Sequence, residues 1–107
     1  MKIVTTDTIA GYTITESLGS VIGNTIRARH LGKDISAGLR SLVGGEITEY
    51  TGMMAESREQ ALQRMLDRAK ELNADAVVGI RFQTSMIMQG SAELLVYGTA
   101  VNLKQNK

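Results

Sequence analysis

The strongest constraint on the fold is a long helical periodicity in the middle of the chain. Its apolar residues recur at intervals of three, four or seven positions: Ile47, Tyr50, Met54, Ala61, Met65, Ala69 and Leu72. Leu62 and Leu66 widen this stripe to the breadth of a helix face that packs on a core. The stripe keeps its phase across Gly52, so we predict one helix over residues 46–72. Asn73 follows as a residue that can end a helix in the left-handed conformation.

Two other helix signals lie near this segment. A shorter helix is predicted before it, because Asp34 can act as its N-cap and Gly44 and Gly45 can end it. Its apolar stripe consists of Ile35, Leu39, Leu42 and Val43. Ser57 and Gln60 match a capping box, so the long helix could instead restart there.

Both ends of the chain carry strand patterns. Strands are predicted over residues 2–5, 12–18, 20–30, 75–84 and 92–103, with a bulge or bend at Gly19. Glu16 falls on the apolar positions of its strand and does not fit the alternation. We therefore predict an α+β fold in which the long helix packs on an antiparallel sheet. Since no linker, repeat or low-complexity segment divides residues 1–107, we expect a single domain.

The last two strands are apolar on both faces. Val77, Leu95, Tyr97, Val101 and Leu103 share one alternation, and Val78, Ile80, Leu94 and Val96 share the other. A layer of helices covers only one face of a sheet, so something else must cover the second. The N-terminal segment can cover part of it, and another subunit is the alternative. The pattern thus favours a homo-oligomer.

Composition narrows the classes of function. The chain has 107 residues and no cysteine, so disulfides and thiolate chemistry are excluded. The net charge is +1, with three tyrosines, one phenylalanine and no tryptophan. A nucleic-acid binder usually combines a basic stripe with aromatic residues, and we expect no nucleic-acid partner here.

The N-terminus and the hydropathy pattern bear on location. Thr5, Thr6, Asp7 and Thr8 interrupt the apolar run that a signal peptide would need. No segment approaches the roughly 18 apolar residues of a membrane span. We therefore expect a cytoplasmic protein without a membrane partner.

Four charged or titratable side chains are ligand-binding candidates: Arg27, His30, Glu46 and Glu49. His30 is the single histidine and could act as a base beside Asp34, although such residues more often lie on the surface. Glu46 and Glu49 begin a row of carboxylates that could bind a divalent cation, although a solvated, charged helix face is the commoner meaning. No catalytic constellation is recognisable.

Two methionines are the metal-ligand candidates. Met86 and Met88 are two positions apart on a predicted strand, so their side chains are expected on the same side. Thioethers are soft ligands that suit monovalent copper. Methionine also fills gaps in cores and interfaces, which is its more frequent role.

Several short motifs resemble those of the YbjQ-like family of small bacterial and archaeal proteins. They are TT at 5–6, GY at 11–12, GGE at 44–46, the helix around Ala61 to Ala69, ADAVVGIRF at 74–82 and YGTAV at 97–101. The resemblance implies a two-layer β-α-β-β core like the dodecin subunit, assembled into an oligomeric ring, a pentamer. Family descriptions refer to heavy-metal binding but supply no ligand or catalytic residues to place here.

Three hypotheses of function follow. The first is a non-enzymatic, ring-forming homo-oligomer that binds a small molecule or ion at subunit junctions or in a central channel. The second is a soft-metal-binding protein that uses Met86, Met88 and His30. The third is a small enzyme with a site shared between subunits. The sequence specifies neither a cofactor nor a physiological ligand.

Overall fold

A computed structural model describes residues 1–28, 48–88 and 90–107 of the chain. The predicted short helix, from Asp34 to the Gly44–Gly45 pair, lies outside these residues. Two of the ligand-binding candidates, His30 and Glu46, also lie outside them.

The described residues form one sheet and one helix. The strands are β1 (Lys2–Ile3), β2 (Tyr12–Ala28), β3 (Ala76–Met88) and β4 (Ser91–Gln105), and the helix α1 is Thr48–Glu71. The sheet order is β1-β3-β4-β2. This arrangement confirms the predicted α+β class.

The sheet is mixed, and the prediction of an antiparallel sheet is wrong for β1. That strand pairs in parallel with β3, whereas the β2–β4 and β3–β4 pairs are antiparallel. β1 and β2 therefore run in the same direction at opposite edges of the sheet. The chain between them must cross back over one face, which determines how that face is covered.

The helix is continuous over 24 residues, so the prediction of one helix is confirmed. Its end is a Schellman motif, in which the amide of Ala74 donates to the Ala69 carbonyl at 3.1 Å and that of Asn73 to the Lys70 carbonyl at 3.0 Å. Asn73 has a φ of 59°, the left-handed conformation predicted for it. Within the described residues, no helix is long and apolar enough to cross a membrane.

The helix buries its predicted stripe against one face of the sheet, called here the helix side. Ala61, Met65 and Ala69 are fully buried among residues of the three longer strands: Val21, Val77, Ile80, Leu94, Val96 and Ala100. Met54, predicted to lie inside, is only half-buried. The helix lies mainly over β2, less over β4 and only marginally over β3. It is therefore displaced toward one edge of the sheet.

The opposite face of the sheet, called here the back face, is partly covered by the N-terminal segment. Val4 and Ile9 pack on a second core that contains Ala76, Val78 and Val101. Tyr12, Ile14 and Leu103 extend this core toward the end of the sheet. The N-terminal segment, one of the two covers predicted for this face, is thus present, and it protects only that end of the back face.

Candidate functional site

The geometry of the sheet places two of the predicted site residues in one row. Arg27 on β2 lies opposite Ala92 on β4, and Met86 on β3 lies opposite the same alanine from the other side. Residues directly opposite in a sheet point to the same face, so Arg27 and Met86 share a face across about 10 Å. They are at the end of the sheet where β2 stops and the β3–β4 hairpin turns.

Arg27 is held by the helix. Its Nε donates to Ser57 Oγ at 2.9 Å, and its Nη2 donates to Gln60 Oε1 at 2.6 Å. The same nitrogen lies 3.7 Å from Glu56 Oε1. These contacts span the strand–helix interface, so the guanidinium fixes α1 against the end of β2. A ligand that binds there would have to share the guanidinium with these helix side chains.

Ser57 is the functional residue at this position that the sequence pattern does not predict. It was interpreted as a helix cap, yet its side chain is buried. Its hydroxyl accepts from Arg27, while its carbonyl accepts from Thr25 Oγ1 at 3.3 Å. A serine on the apolar side of a helix is the one signal that could have indicated a polar partner on the sheet.

The two methionines lie on the exposed part of β3. Met86 retains 79% of its surface and Met88 retains 65%, so neither fills a gap in the core of the chain. The register slips between them, with one extra residue on β3. Since a bulge interrupts the alternation of side chains, spacing alone no longer places them on one side. Their role as metal ligands stays a prediction.

The remaining candidates are not brought together in the described residues. Glu49 lies in the first turn of α1, and its side chain is not described. The described part of the chain contains no group of three or more histidine, aspartate or glutamate side chains that could hold a metal ion. Arg27, Met86 and Met88 are therefore the predicted site residues whose relative placement in the sheet is established within the described residues.

An open groove runs beside β2 at the other end of the helix. It has a volume of about 400 Å³ and is lined by Ser20, Val21, Ile22, Arg68, Glu71 and Leu72. Val21 belongs to the helix-side core, whereas its neighbours Ser20 and Ile22 alternate to the back face. A groove that touches all three lies at the edge of the sheet, next to the outer side of β2.

The outer half of β3 carries several exposed apolar side chains. Phe82, Met86, Ile87 and Met88 are all exposed there. The N-terminal segment pairs with β3 only as far as Ile80, whose amide donates to the Val4 carbonyl at 3.1 Å. Beyond that point β3 has no partner on its outer edge within the described part of the chain.

Comparison with known proteins gives relatives over the whole length of the chain. A UPF0145 protein of Methanosarcina acetivorans is 60% identical over 96% of this chain and 97% of its own. A UPF0145 protein of Archaeoglobus fulgidus is 58% identical over 95% of this chain and 94% of its own.

A solved structure shares the fold. A protein of unknown function from Pediococcus pentosaceus, assigned to the DUF74 family, aligns with a TM-score of 0.70 and 21% identity, covering 97% of this chain and 98% of its own. The family model described as "Putative heavy-metal-binding" matches residues 1–104. The chain therefore belongs to the YbjQ-like family, as its motifs predicted.

Proposed function

We propose that the protein is a non-enzymatic, ring-forming homo-oligomer of the cytoplasm, and that it binds a small molecule or ion at its subunit junctions or in a central channel. The observation that carries the proposal is the exposed outer half of β3. Phe82 and Met86 are apolar, lie on a strand edge that has no partner among the residues the structure describes, and keep 48% and 79% of their surface exposed.

Both physical properties of this strand favour assembly. Several exposed apolar side chains on one strand form a patch that is more typical of an interface than of the surface of a monomer. An open strand edge presents unpaired amides and carbonyls that pair readily with another chain. The opposite edge, β2, is open along 17 residues in the described part of the chain. A closed ring would satisfy both edges in every copy.

The number of subunits rests on a different argument. The physical chemistry of the edges supports a closed assembly without setting its size. Five subunits is the number that family resemblance implies, and it is the stoichiometry we propose.

The ligand is proposed to bind near the Arg27 end of the sheet. The Arg27 guanidinium is partly exposed, with 30% of its side chain accessible, and Glu49 begins the helix at the same end. His30 and Glu46 lie next to these two along the chain and complete the candidate set. A site there would combine basic and acidic groups, which suits a small polar molecule or an ion.

Sedimentation equilibrium at micromolar concentration tests the assembly, and native mass spectrometry of protein purified from its own host tests the ligand. We expect one species of five chains that carries a reproducible added mass. A folded monomer would contradict the oligomer, and a dimer or hexamer would contradict only the stoichiometry. Replacing Arg27 with methionine should remove the added mass but leave the number of subunits unchanged.

Soft-metal binding is the second candidate function. The exposure of Met86 and Met88 favours it, because these side chains are available to a metal rather than committed to the core. Metal analysis of the purified protein separates this candidate from the first.

A further inference from the structure

The two strand edges that are open in residues 1–28, 48–88 and 90–107 run in the same direction. β2 and β3 are both antiparallel to β4, which lies between them, so they are parallel to each other. A rotation about an axis along the strands preserves that direction. The β3 edge of a rotated copy would therefore meet β2 in a parallel orientation, and the contact would repeat head to tail until the ring closes.

The position of the helix suits such a contact. α1 covers the helix side of β2 and leaves the same side of the outer β3 uncovered. Phe82 is opposite Val96 and therefore points to this uncovered side. If β3 of a second copy lay beside β2, its Phe82 would lie against the outer flank of α1. Each helix would then cover its own β2 and the β3 of its neighbour.

Along the strand direction, the groove beside β2 lies close to the level of the Phe82 side chain of a second copy. Ile22 is level with Tyr97, which is level with Arg81. Phe82 is the next residue, so it lies about 3.3 Å beyond the level of Ile22. A stagger of one or two residues, as closed sheets have, brings Phe82 beside the groove. Leu72, at 43% exposure, offers the groove an apolar wall.

A hydrogen bond limits where on β2 the pairing can begin. Arg64 on α1 donates from Nη1 to the carbonyl of Asn24 at 2.6 Å. This carbonyl is on β2 and is already satisfied, whereas the groove lies two to four residues before it. Ser20–Ile22 lies before this bond, next to the groove, and the part of a parallel β3 beyond Phe82 would pass Asn24, where Arg64 has to share or release the carbonyl.

We propose that the subunit junction is formed by the Phe82–Met88 half of β3 in one copy, parallel to β2 of the next, with the Phe82 side chain in the groove between Ser20–Ile22 and Arg68–Leu72. This inference rests on the proposed homo-oligomer and adds the surfaces that meet. Self-pairing of β2 is the competing geometry. It would leave the apolar half of β3 exposed in both copies and is disfavoured for that reason.

The first test introduces a charge at the proposed contact. Phe82→Glu should convert the assembly to smaller species in sedimentation velocity while the far-ultraviolet circular dichroism of the fold persists. Gln63→Glu is the matched control, because Gln63 is exposed on α1 and lies outside the groove. An unchanged assembly in Phe82→Glu would overturn the proposal.

The second test identifies the surfaces even if Phe82→Glu fails to fold. The chain has no cysteine, so engineered thiols are the only ones present. Ile22 and Gln83 both point to the back face, on β2 and β3 respectively. A variant that carries Ile22→Cys and Gln83→Cys together, oxidised to form disulfides, should give a ladder of cross-linked species up to the full ring, because β4 separates the two residues within one chain and a disulfide requires adjacent strands. Either substitution alone should give none.

The outcomes separate the inference from the proposed function. If the parent protein is a monomer, both the proposed homo-oligomer and the proposed junction are wrong. The same holds if a single chain is found with an unrelated host protein bound to these strand edges. A parent oligomer whose double variant does not cross-link overturns only the junction. Dimers cross-linked by Ile22→Cys alone would indicate self-pairing of β2 and would also overturn it.

Discussion

Gly23 on β2 lies directly against Ala61 on α1, backbone to backbone. A Cβ placed on Gly23 would overlap the carbonyl oxygen of Ala61 and lie 2.5 Å from the amide nitrogen of Met65. Neither clashing atom belongs to a flexible side chain. The helix can approach β2 this closely only because the strand has no side chain at that position.

Replacing Gly23 with alanine should therefore destabilise the protein strongly. The helix backbone would have to move away from β2, which opens the core around Met65. We expect the free energy of unfolding to fall by about 1–3 kcal/mol or more, the range for overpacking. The midpoint of urea denaturation measures the effect.

Gly52 provides the matched control for this glycine. It lies within α1 with nothing near the position of an added Cβ. Gly52→Ala should stabilise the protein by about 0.5–1 kcal/mol, because alanine loses less backbone entropy in a helix. Equal midpoints for Gly23→Ala and the parent would mean that the strand and helix are not in contact at this position.

Ala61→Asp should also be strongly destabilising. Ala61 is fully buried between α1 and the sheet, so the substitution places an unpaired carboxylate in an apolar contact. We expect a loss of several kcal/mol and a lower thermal midpoint. Gln63→Asp, on the exposed side of the same helix, should change the midpoint little. A parent-like midpoint for Ala61→Asp would show that the buried face of the helix is wrongly assigned.

The features predicted correctly from the sequence have local causes. The helix follows from a stripe that repeats within its own segment, from Ala61 through Met65 to Ala69. Its end follows from Asn73, a residue that tolerates the left-handed conformation. Each signal lies within a few residues of the structure that it specifies, so no tertiary information was needed.

The β-bulges could not be predicted from the sequence, and they change the face of the sheet on which nearby side chains lie. Glu16 was expected on the apolar side of its strand, but the register slips between Ile14 and Glu16, and its side chain is exposed. Val78 was grouped with Ile80, yet Ile80 packs with Val77 on the helix side. The cause is an extra residue near Gly79, whose φ is 63°. A bulge depends on pairing with a distant strand, and alternation along one strand does not reveal it.

The candidate site was predictable only in part for the same reason. The sequence identified Arg27 and Met86 by chemical type, but only the register through Ala92 places them in one row. The groove near Leu72 was not anticipated, because its walls are about 50 residues apart along the chain. Gly23 on β2 was the available hint that a helix packs closely there.

Asn73 should respond to substitution according to its backbone conformation. Its φ of 59° carries a penalty for residues with an ordinary Cβ, so Asn73→Ala should lower stability by about 1 kcal/mol. Asn73→Gly should retain or raise it, because glycine adopts this conformation without a Cβ penalty. Thermal denaturation of the two variants side by side measures the difference. A more stable alanine variant would contradict the Schellman geometry.

Met86 and Met88 provide the last prediction, that metal binding by this chain is weak and non-specific. Both side chains are exposed, but a bulge separates them, and two thioethers without cysteine make a poor site by themselves. Replacing both with leucine preserves their apolar character and removes the sulfur ligands. We expect copper(I) uptake, measured by titration against a chromogenic chelator, to be the same in the parent and the double variant. Stoichiometric, tight uptake by the parent that disappears in the variant would instead establish these methionines as the metal site, and would make soft-metal binding the better account of the protein.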